Sequence, residues 1–401
     1  MSKEIIYDYI IVRYGELTTK GKNRKDFINV LVSNIRKMLK DYKNLTYQKF
    51  YDGLFIHLNG EDYKEVSEKL KLVFGYAYFS GAIRCDSDID DIAQTALRVA
   101  QNANAKTFKV NAHRNDKSFP MTSDSINRAV ATLVLKNTEL KVDVHHPDLM
   151  IYVVVKKGNS YVMDEKVQGL KGYPVGVNHK ALLMISGGID SPVAGFVTMK
   201  RGMRIEAVHF ASMPYTSKQA LDKVLSLLKI LSTYQQEVIV HVIPFTDLQL
   251  AIYKNFDESY AITELRRMMY RIADRLCKDR HILTIVNGES VGQVASQTLE
   301  SMTTISKVCD TMILRPLCMA DKQEIIEYSK KIGTYETSIL PYEDCCTIFS
   351  PKNPTTKPKE DKCLYYESKF DYESLIDECL KNDQIIKITP DYQEDKEEDL
   401  F

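Results

Sequence analysis

Apolar and polar positions follow two different rules along this 401-residue chain. Residues 7–12 form an apolar run suited to a buried strand, and 18–23 are polar and break it. Over 24–42, Phe27, Val30, Leu31, Ile35, Met38 and Leu39 recur at helical spacing. The runs 45–50 and 53–58 read as a hairpin about Tyr51-Asp52, which completes a small α+β unit over 1–60. A second unit spans 61–168. It has helices over 62–72, 89–103 and 122–136, strands over 77–85 and 107–112, and a hairpin of 150–155 with 160–163. Ile92, Ala96 and Val99 share one helix face, and the stretch 122–125 suits an N-cap. The segment 168–178, with Gly169, Gly172, Pro174 and Gly176, breaks all periodicity and marks a boundary.

From residue 180 the pattern becomes strict strand–helix alternation. Strands are predicted over 181–185, 205–210, 237–243 and 282–286, and helices over 192–201, 217–234 and 262–279. A further helix begins at Asp321, with Glu324 completing a capping box. Alternation of this kind predicts a doubly wound parallel sheet over 169–390, with ligands outside the carboxyl ends of its strands. No fixed-period repeat is visible.

Composition adds exclusions. The 44% hydrophobic and 27% charged residues rule out disordered and fibrous classes. No window approaches a membrane span, and 1–16 lack a basic segment followed by a long apolar one, so a cytoplasmic protein is expected. Net charge is zero, yet residues 1–180 carry 28 Lys/Arg against 21 Asp/Glu. The excess concentrates over 13–49, and 391–401 is an acidic tail. A basic run is as often a solvated helix face as a footprint for phosphates, so other residues must decide.

Ser186-Gly187-Gly188-Ile189-Asp190-Ser191-Pro192 lies between a strand and a helix. Paired glycines let backbone N–H groups surround an anion, and the helix start adds positive potential. Ser186 and Ser191 add hydroxyls, Pro192 fits the first helical position, and Asp190 approaches phosphate only through Mg2+ or a backbone N–H. The Walker pattern and G-x-G-x-x-G are both absent. A second polar cluster, 287–298, follows the strand 282–286 where such a fold binds ligands. The cysteines form no C-x-x-C pair, so no metal site is expected. Cys345-Cys346 stand among loop residues, where a thiol is able to carry sulfur as a persulfide.

The Ser186–Ser191 loop resembles the pyrophosphate loop of the ATP-pyrophosphatase superfamily. Together with 11–17, 287–298 and 335–349, it makes the whole chain similar to the 4-thiouridine tRNA sulfurtransferase family. The resemblance implies an N-terminal ferredoxin-like domain (1–60), a THUMP RNA-binding domain (61–168) and a C-terminal pyrophosphatase domain (169–390). It places ATP against Leu183, Met184, Ser186, Gly187, Gly188, Asp190, Ser191, Val208, His209, Arg266 (or its neighbour Arg267), Gly288 and Gln297. It places RNA against Lys109, Arg114, Lys117 and Arg128, with Phe119 stacking on a base.

The implied reaction uses ATP and Mg2+ to adenylate uridine 8 of tRNA, after which persulfide sulfur on Cys345 displaces AMP. Asp190 and Cys345 are the expected catalytic residues. The chain ends before the rhodanese domain of some members, so a cysteine desulfurase is expected to supply sulfur in trans. The expected partners are tRNA, through its 3′ acceptor end and the uridine 8 region, and that desulfurase. A sulfur-carrier protein for thiamine thiazole synthesis ranks second, and a homodimer is compatible with the reading. The competing readings are an ATP-dependent ligase or amidating enzyme, which has no use for Cys345, and a non-catalytic RNA-binding protein, which leaves the Ser186–Ser191 loop idle.

Overall fold

The computed structural model describes residues 5–342, 351 and 353–393. The chain divides into two compact units, Met1–Pro174 and Val175–Phe401.

The first unit runs β1 (Tyr9–Arg13), α1 (Arg24–Met38), β2 (Thr46–Lys49), β3 (Gly53–His57), α2 (Tyr63–Leu70), β4 (Tyr78–Cys85), α3 (Ile89–Asn102) and β5 (Thr107–Arg114). It continues with α4 (Ser123–Asn137), β6 (Lys141–Val142), β7 (Leu149–Lys156), β8 (Asn159–Met163) and β9 (Val167–Gln168). These strands form one nine-stranded sheet in the order β2-β3-β1-β4-β8-β7-β5-β6, with β9 beside β4. The eight-residue β4 joins the two halves. Tyr78–Ala82 pair antiparallel with β1, while Ile83–Cys85 pair with β8. The division read at 60–61 therefore falls inside a continuous sheet. Ile92, Ala96 and Val99 of α3 meet Ile126, Val130 and Val134 of α4 over Phe108, Ile151, Val153 and Val162, as their helical spacing predicts. The Thr122 side chain caps α4 by accepting from the Ser125 N–H.

The second unit runs β10 (Lys180–Met184), α5 (Asp190–Lys200), β11 (Arg204–Ala211), α6 (Lys218–Gln235), β12 (Val238–Pro244), α7 (Thr246–Asn255), α8 (Ala261–Asp279) and β13 (Thr284–Val286). It continues with α9 (Leu299–Ser306), β14 (Met312–Leu314), α10 (Lys322–Lys331), α11 (Tyr335–Ser338), α12 (Glu360–Glu367), α13 (Tyr372–Lys381) and β15 (Gln384–Ile388). Its sheet order is β14-β13-β10-β11-β12-β15, parallel except for β15. The chain winds from β10 to β12 in one direction and then returns to place β13 on the other side of β10. Strand order thus reverses between β10 and β13, which opens a crevice at their carboxyl ends.

β10 is apolar on both faces because helices cover both, and α5 lies close upon it. A Cβ on Gly195 of α5 would stand 2.8 Å from Leu183 Cδ2. The predicted capping box at Asp321–Glu324 is present at α10. β14 and β15 have no strong sequence signal. β14 is three residues with one exposed, and β15 pairs as an edge with three of its five residues exposed.

A buried ionic cluster crosses this sheet. His241 of β12 bonds Asp383 and Glu206, and Glu206 of β11 also accepts from Arg280 Nε at 2.8 Å and Lys180 Nζ at 3.2 Å. Burial opposes the imidazolium, but the bonds from Asp383 and Glu206 prevail and raise the His241 pKa to about 9.

Candidate active site

The Ser186–Ser191 segment turns from β10 into α5 and is held by its own hydroxyls. Ser191 Oγ accepts from the Ser186 N–H at 3.0 Å, and Ser186 Oγ accepts from the Gly188 N–H at 3.3 Å. The helix begins at Asp190, two residues before the predicted start. Pro192 is consequently the third helical residue, still inside the first turn, where no intrahelical N–H bond is lost. The loop thus sits at the positive end of a helix whose axis is fixed by its contact with β10.

The second cluster follows β13, next to β10 across the switch point. Gly288 presses against the first loop: a Cβ there would stand 2.7 Å from the Asp190 carbonyl carbon and 2.8 Å from the Ser191 nitrogen. Only a hydrogen fits that contact. Beyond it, the buried Glu289 carboxylate accepts from Arg266, from Arg315 Nε at 2.7 Å, from Asn287 Nδ2 at 3.0 Å and from the Tyr270 hydroxyl at 3.3 Å. Burial alone would raise its pKa. The Arg266 and Arg315 guanidinium groups reverse that and hold it below the usual carboxylate range.

Between the two loops lies a cavity of about 410 Å3. It brings together Met184, Ser186, Asp190, Ser191, His209, Arg266, Gly288 and Gln297 of the expected set, with Ile262, Phe210 and Met269 forming apolar wall. Leu183 and Val208 do not line it; both side chains are fully buried among the core strands. Gly187 and Gly188 form the turn itself and are not part of the lining. The choice between adjacent arginines is decided by helix phase. Arg266 shares the α8 stripe of Ile262 and Met269 and lines the cavity, whereas Arg267 points into the core, where Glu367 holds it through both carboxylate oxygens.

Lys322 and Arg315 escape sequence reading, and Gln293 and Glu289 lie in the 287–298 cluster without an assigned role. Asp190 Oδ1 pairs with Lys322 Nζ at 2.6 Å and its Oδ2 accepts from Gln293 Nε2 at 2.9 Å; Glu289 and Arg315 form the ionic wall. The Ile262–Arg266–Met269 spacing was a legible signal for that stripe. Nothing in sequence links residue 322 to residue 190. Among the described residues no group of three His, Cys, Asp or Glu is arranged to hold a metal. Asp190, whose carboxylate stands at the start of α5 beside the Ser186–Ser191 loop, is the residue that would hold Mg2+.

Cys345 and Cys346 lie outside the described residues. Pro351, six positions after Cys345 in the chain, lines the cavity together with Pro354.

The predicted RNA set in the first unit is less uniform. Lys117 and Arg128 are exposed. Lys109 Nζ donates to the Val144 carbonyl at 2.9 Å, and Arg114 donates to the carbonyls of Phe119 and Met121 at 3.0 and 3.2 Å. Stacking by Phe119 is a correction. The residue is only 7% exposed and belongs to the α3–α4 core, because the apolar ring gains more from that burial than from standing free beside basic residues.

Comparisons with known proteins agree with this layout. The chain matches the Thiamine biosynthesis protein (ThiI) family over 176–372, the ThiI ferredoxin-like domain over 9–80 and the THUMP domain over 86–164. It is 36% identical to a 4-thiouridine synthetase crystallised with RNA and bound ATP, with a TM-score of 0.89 over 96% of this chain and 100% of that one. The chain belongs to the ThiI family. Protein PH1313 from Pyrococcus horikoshii, at 22% identity and a TM-score of 0.61 over 81% of this chain and 99% of that one, shares the fold. Within the ThiI family fold, the ferredoxin-like match runs to residue 80 and so takes in the start of β4. No helix among the described residues is long and apolar enough to cross a membrane.

Proposed function

We propose that this ThiI-family chain is an ATP-dependent tRNA sulfurtransferase that adenylates uridine 8 and replaces its O4 by sulfur carried on Cys345. The observation that carries the reading is the cavity at the β10/β13 switch point, walled on one side by the Ser186–Ser191 loop and on the other by Gly288, Gln297 and Arg266. That wall offers loop N–H groups, two hydroxyls, a helix N-terminus and a guanidinium to a polyphosphate, and Ile262 and Met269 to an apolar ring. Asp190 would hold Mg2+, which when bound neutralises phosphate charge.

In the proposed sequence, the Ser186–Ser191 loop and Arg266 hold the triphosphate with its α-phosphorus facing the uridine O4. Attack there releases pyrophosphate, whose developing charge the loop N–H groups stabilise. The terminal sulfur of the Cys345 persulfide then attacks C4 and AMP leaves; a second thiol attacks Cys345 Sγ and breaks the S–S bond, which releases 4-thiouridine and leaves Cys345 in a disulfide that an external dithiol reduces. Pro351 and Pro354 on the cavity wall support a route by which the chain bearing Cys345 reaches the nucleotide.

RNA binding falls to the first unit in this reading. A cavity of about 350 Å3 on its sheet face is walled by Arg13, Tyr78, His113, Tyr152 and Lys166, and Lys166 Nζ stands 3.9 Å from the Tyr152 ring centre. Cations interleaved with aromatic rings suit the single-stranded acceptor end of a tRNA. Lys117 and Arg128 offer further phosphate contacts. A cysteine desulfurase is the proposed persulfide donor, a homodimer is the proposed assembly, and the cytoplasm the proposed compartment. The thiamine role, as a sulfur supply to a carrier protein, is the second reading favoured by the family match over 176–372.

The test is nucleoside mass spectrometry of unmodified tRNA incubated with the protein, ATP-Mg2+ and a persulfide donor. ATP-dependent 4-thiouridine is the expected product. Absence of both thiouridine and tRNA-dependent AMP overturns the reading.

A further inference from the structure

Sequence reading singled out 287–298 as a ligand-facing cluster but assigned only Gly288 and Gln297 to the nucleotide. Glu289, between them, is 2% exposed and lies where a triphosphate is proposed to bind, an unfavourable place for an anion unless it does something there. Its surroundings supply the reason. One oxygen is bonded by Arg266, and the other is shared by Arg315 Nε, Asn287 Nδ2 and the Tyr270 hydroxyl. The Glu289 N–H donates to Asn287 Oδ1 at 3.0 Å, and Arg315 is tied at its far end to Ser306 Oγ at 2.7 Å. The carboxylate is therefore fixed from its own backbone, from β13's exit, from α8 and from α9.

Of the two guanidinium groups on this carboxylate, only Arg266 reaches the cavity wall. An arginine there has four rotatable side-chain bonds. Unrestrained, it has many other rotamers open to it. With Glu289 bonded to one terminal nitrogen, the guanidinium is held on the wall facing the loop. One carboxylate against two guanidiniums also leaves the wall with an excess positive charge, so the anchor does not cancel the field an anionic ligand meets.

We propose that Glu289 is a positioning residue for the nucleotide: its buried carboxylate clamps Arg266 in the orientation that contacts the phosphates, and Arg315 is the counter-ion that keeps the clamp in place. The inference rests on the reading of the β10/β13 cavity as the ATP site.

The experiment is a double-mutant cycle on the full chain, with ATP-Mg2+ affinity measured by calorimetry and thermal melting measured alongside. Arg266→Ala is expected to weaken binding on the order of 10- to 100-fold, as loss of hydrogen bonds to a charged ligand does. Glu289→Gln is expected to weaken it by a similar factor, and the double variant by no more than Arg266→Ala alone, because the clamp acts only through the residue it holds. A carboxylate needed merely for folding would instead add its loss to that of Arg266→Ala. Should Glu289→Gln fail to fold, Glu289→Asp enters the same cycle with the charge kept and the reach shortened. Wild-type affinity in a folded Glu289 variant whose Arg266→Ala counterpart is weak overturns the proposal and leaves the ATP-site reading standing. Wild-type affinity in Arg266→Ala overturns the placement of Arg266 and the clamp with it.

Discussion

Replacing Gly288 by alanine tests the site with the smallest possible change. The added methyl carbon would lie 2.7 Å from the Asp190 carbonyl carbon, 2.8 Å from the Ser191 nitrogen and 2.9 Å from Asp190 Cβ. Ordinary contact begins at 3.4 Å, so the two loops must part by about 0.7 Å. The neighbours are backbone atoms and a Cβ at the start of α5, which no side-chain rotation moves aside. The strain is expected to cost about 1–3 kcal/mol of stability. Its functional cost is expected to be larger in proportion, since a displacement near 1 Å at a positioning loop lowers rate by about 10²-fold. Calorimetric ATP titration and tRNA-dependent AMP formation read the function, and thermal melting reads the stability. A folded Gly288→Ala variant with unchanged ATP affinity and AMP formation would refute the argument that these two loops jointly form the nucleotide site.

Other outcomes follow from the same geometry. Cys345→Ser is expected to abolish 4-thiouridine while tRNA-dependent AMP formation persists, and Cys346→Ser to retain both; full thiolation by Cys345→Ser removes that residue from the mechanism. Asp190→Asn is expected to lower AMP formation by about 10²-fold with little change in melting, because the carboxylate is partly exposed and its neighbours Lys322 and Gln293 remain solvated. Phe119→Ala is expected to cost about 3–5 kcal/mol of stability in the first unit, and normal melting with weakened RNA binding would restore the stacking role. The His241 pKa is raised from 6.5 to about 9, so its protonated form contributes stability that is full below pH 6.5 and lost as pH climbs through 9. The contribution is about 3 kcal/mol at most, shared with Glu206, whose carboxyl the bonds from His241, Arg280 and Lys180 hold at about 2 against its burial. The melting temperature is expected to fall between pH 7 and 10, and His241→Asn to flatten that slope.

Much of the site was legible because its parts are local. The Ser186–Ser191 loop needs its glycines and hydroxyls adjacent in the chain to turn a strand into a helix around an anion, so the motif is visible without the fold. The capping residues Thr122 and Asp321 and the core faces of α3 and α4 are likewise set within one or two turns of helix. Phe119 shows the limit. It stands among basic residues in the sequence, and only the meeting of α3 and α4 over the sheet reveals that the ring is core. The seam at β4 is hidden for a similar reason, since strand pairing is decided between segments and not within them.

The sequence by itself determined the alternation that makes the second unit a parallel sheet, and it determined that a turn of paired glycines and hydroxyls follows the first strand of that unit. Which of two adjacent arginines faces the cavity, why residue 288 has no side chain, and how Lys322 reaches Asp190 were decided only by the tertiary structure. Those facts depend on β13 returning beside β10 after some hundred residues, and on the phase of α8 against that pair. Periodicity fixes what each element buries. The contacts between loops at a strand-order reversal depend on how whole elements settle against each other.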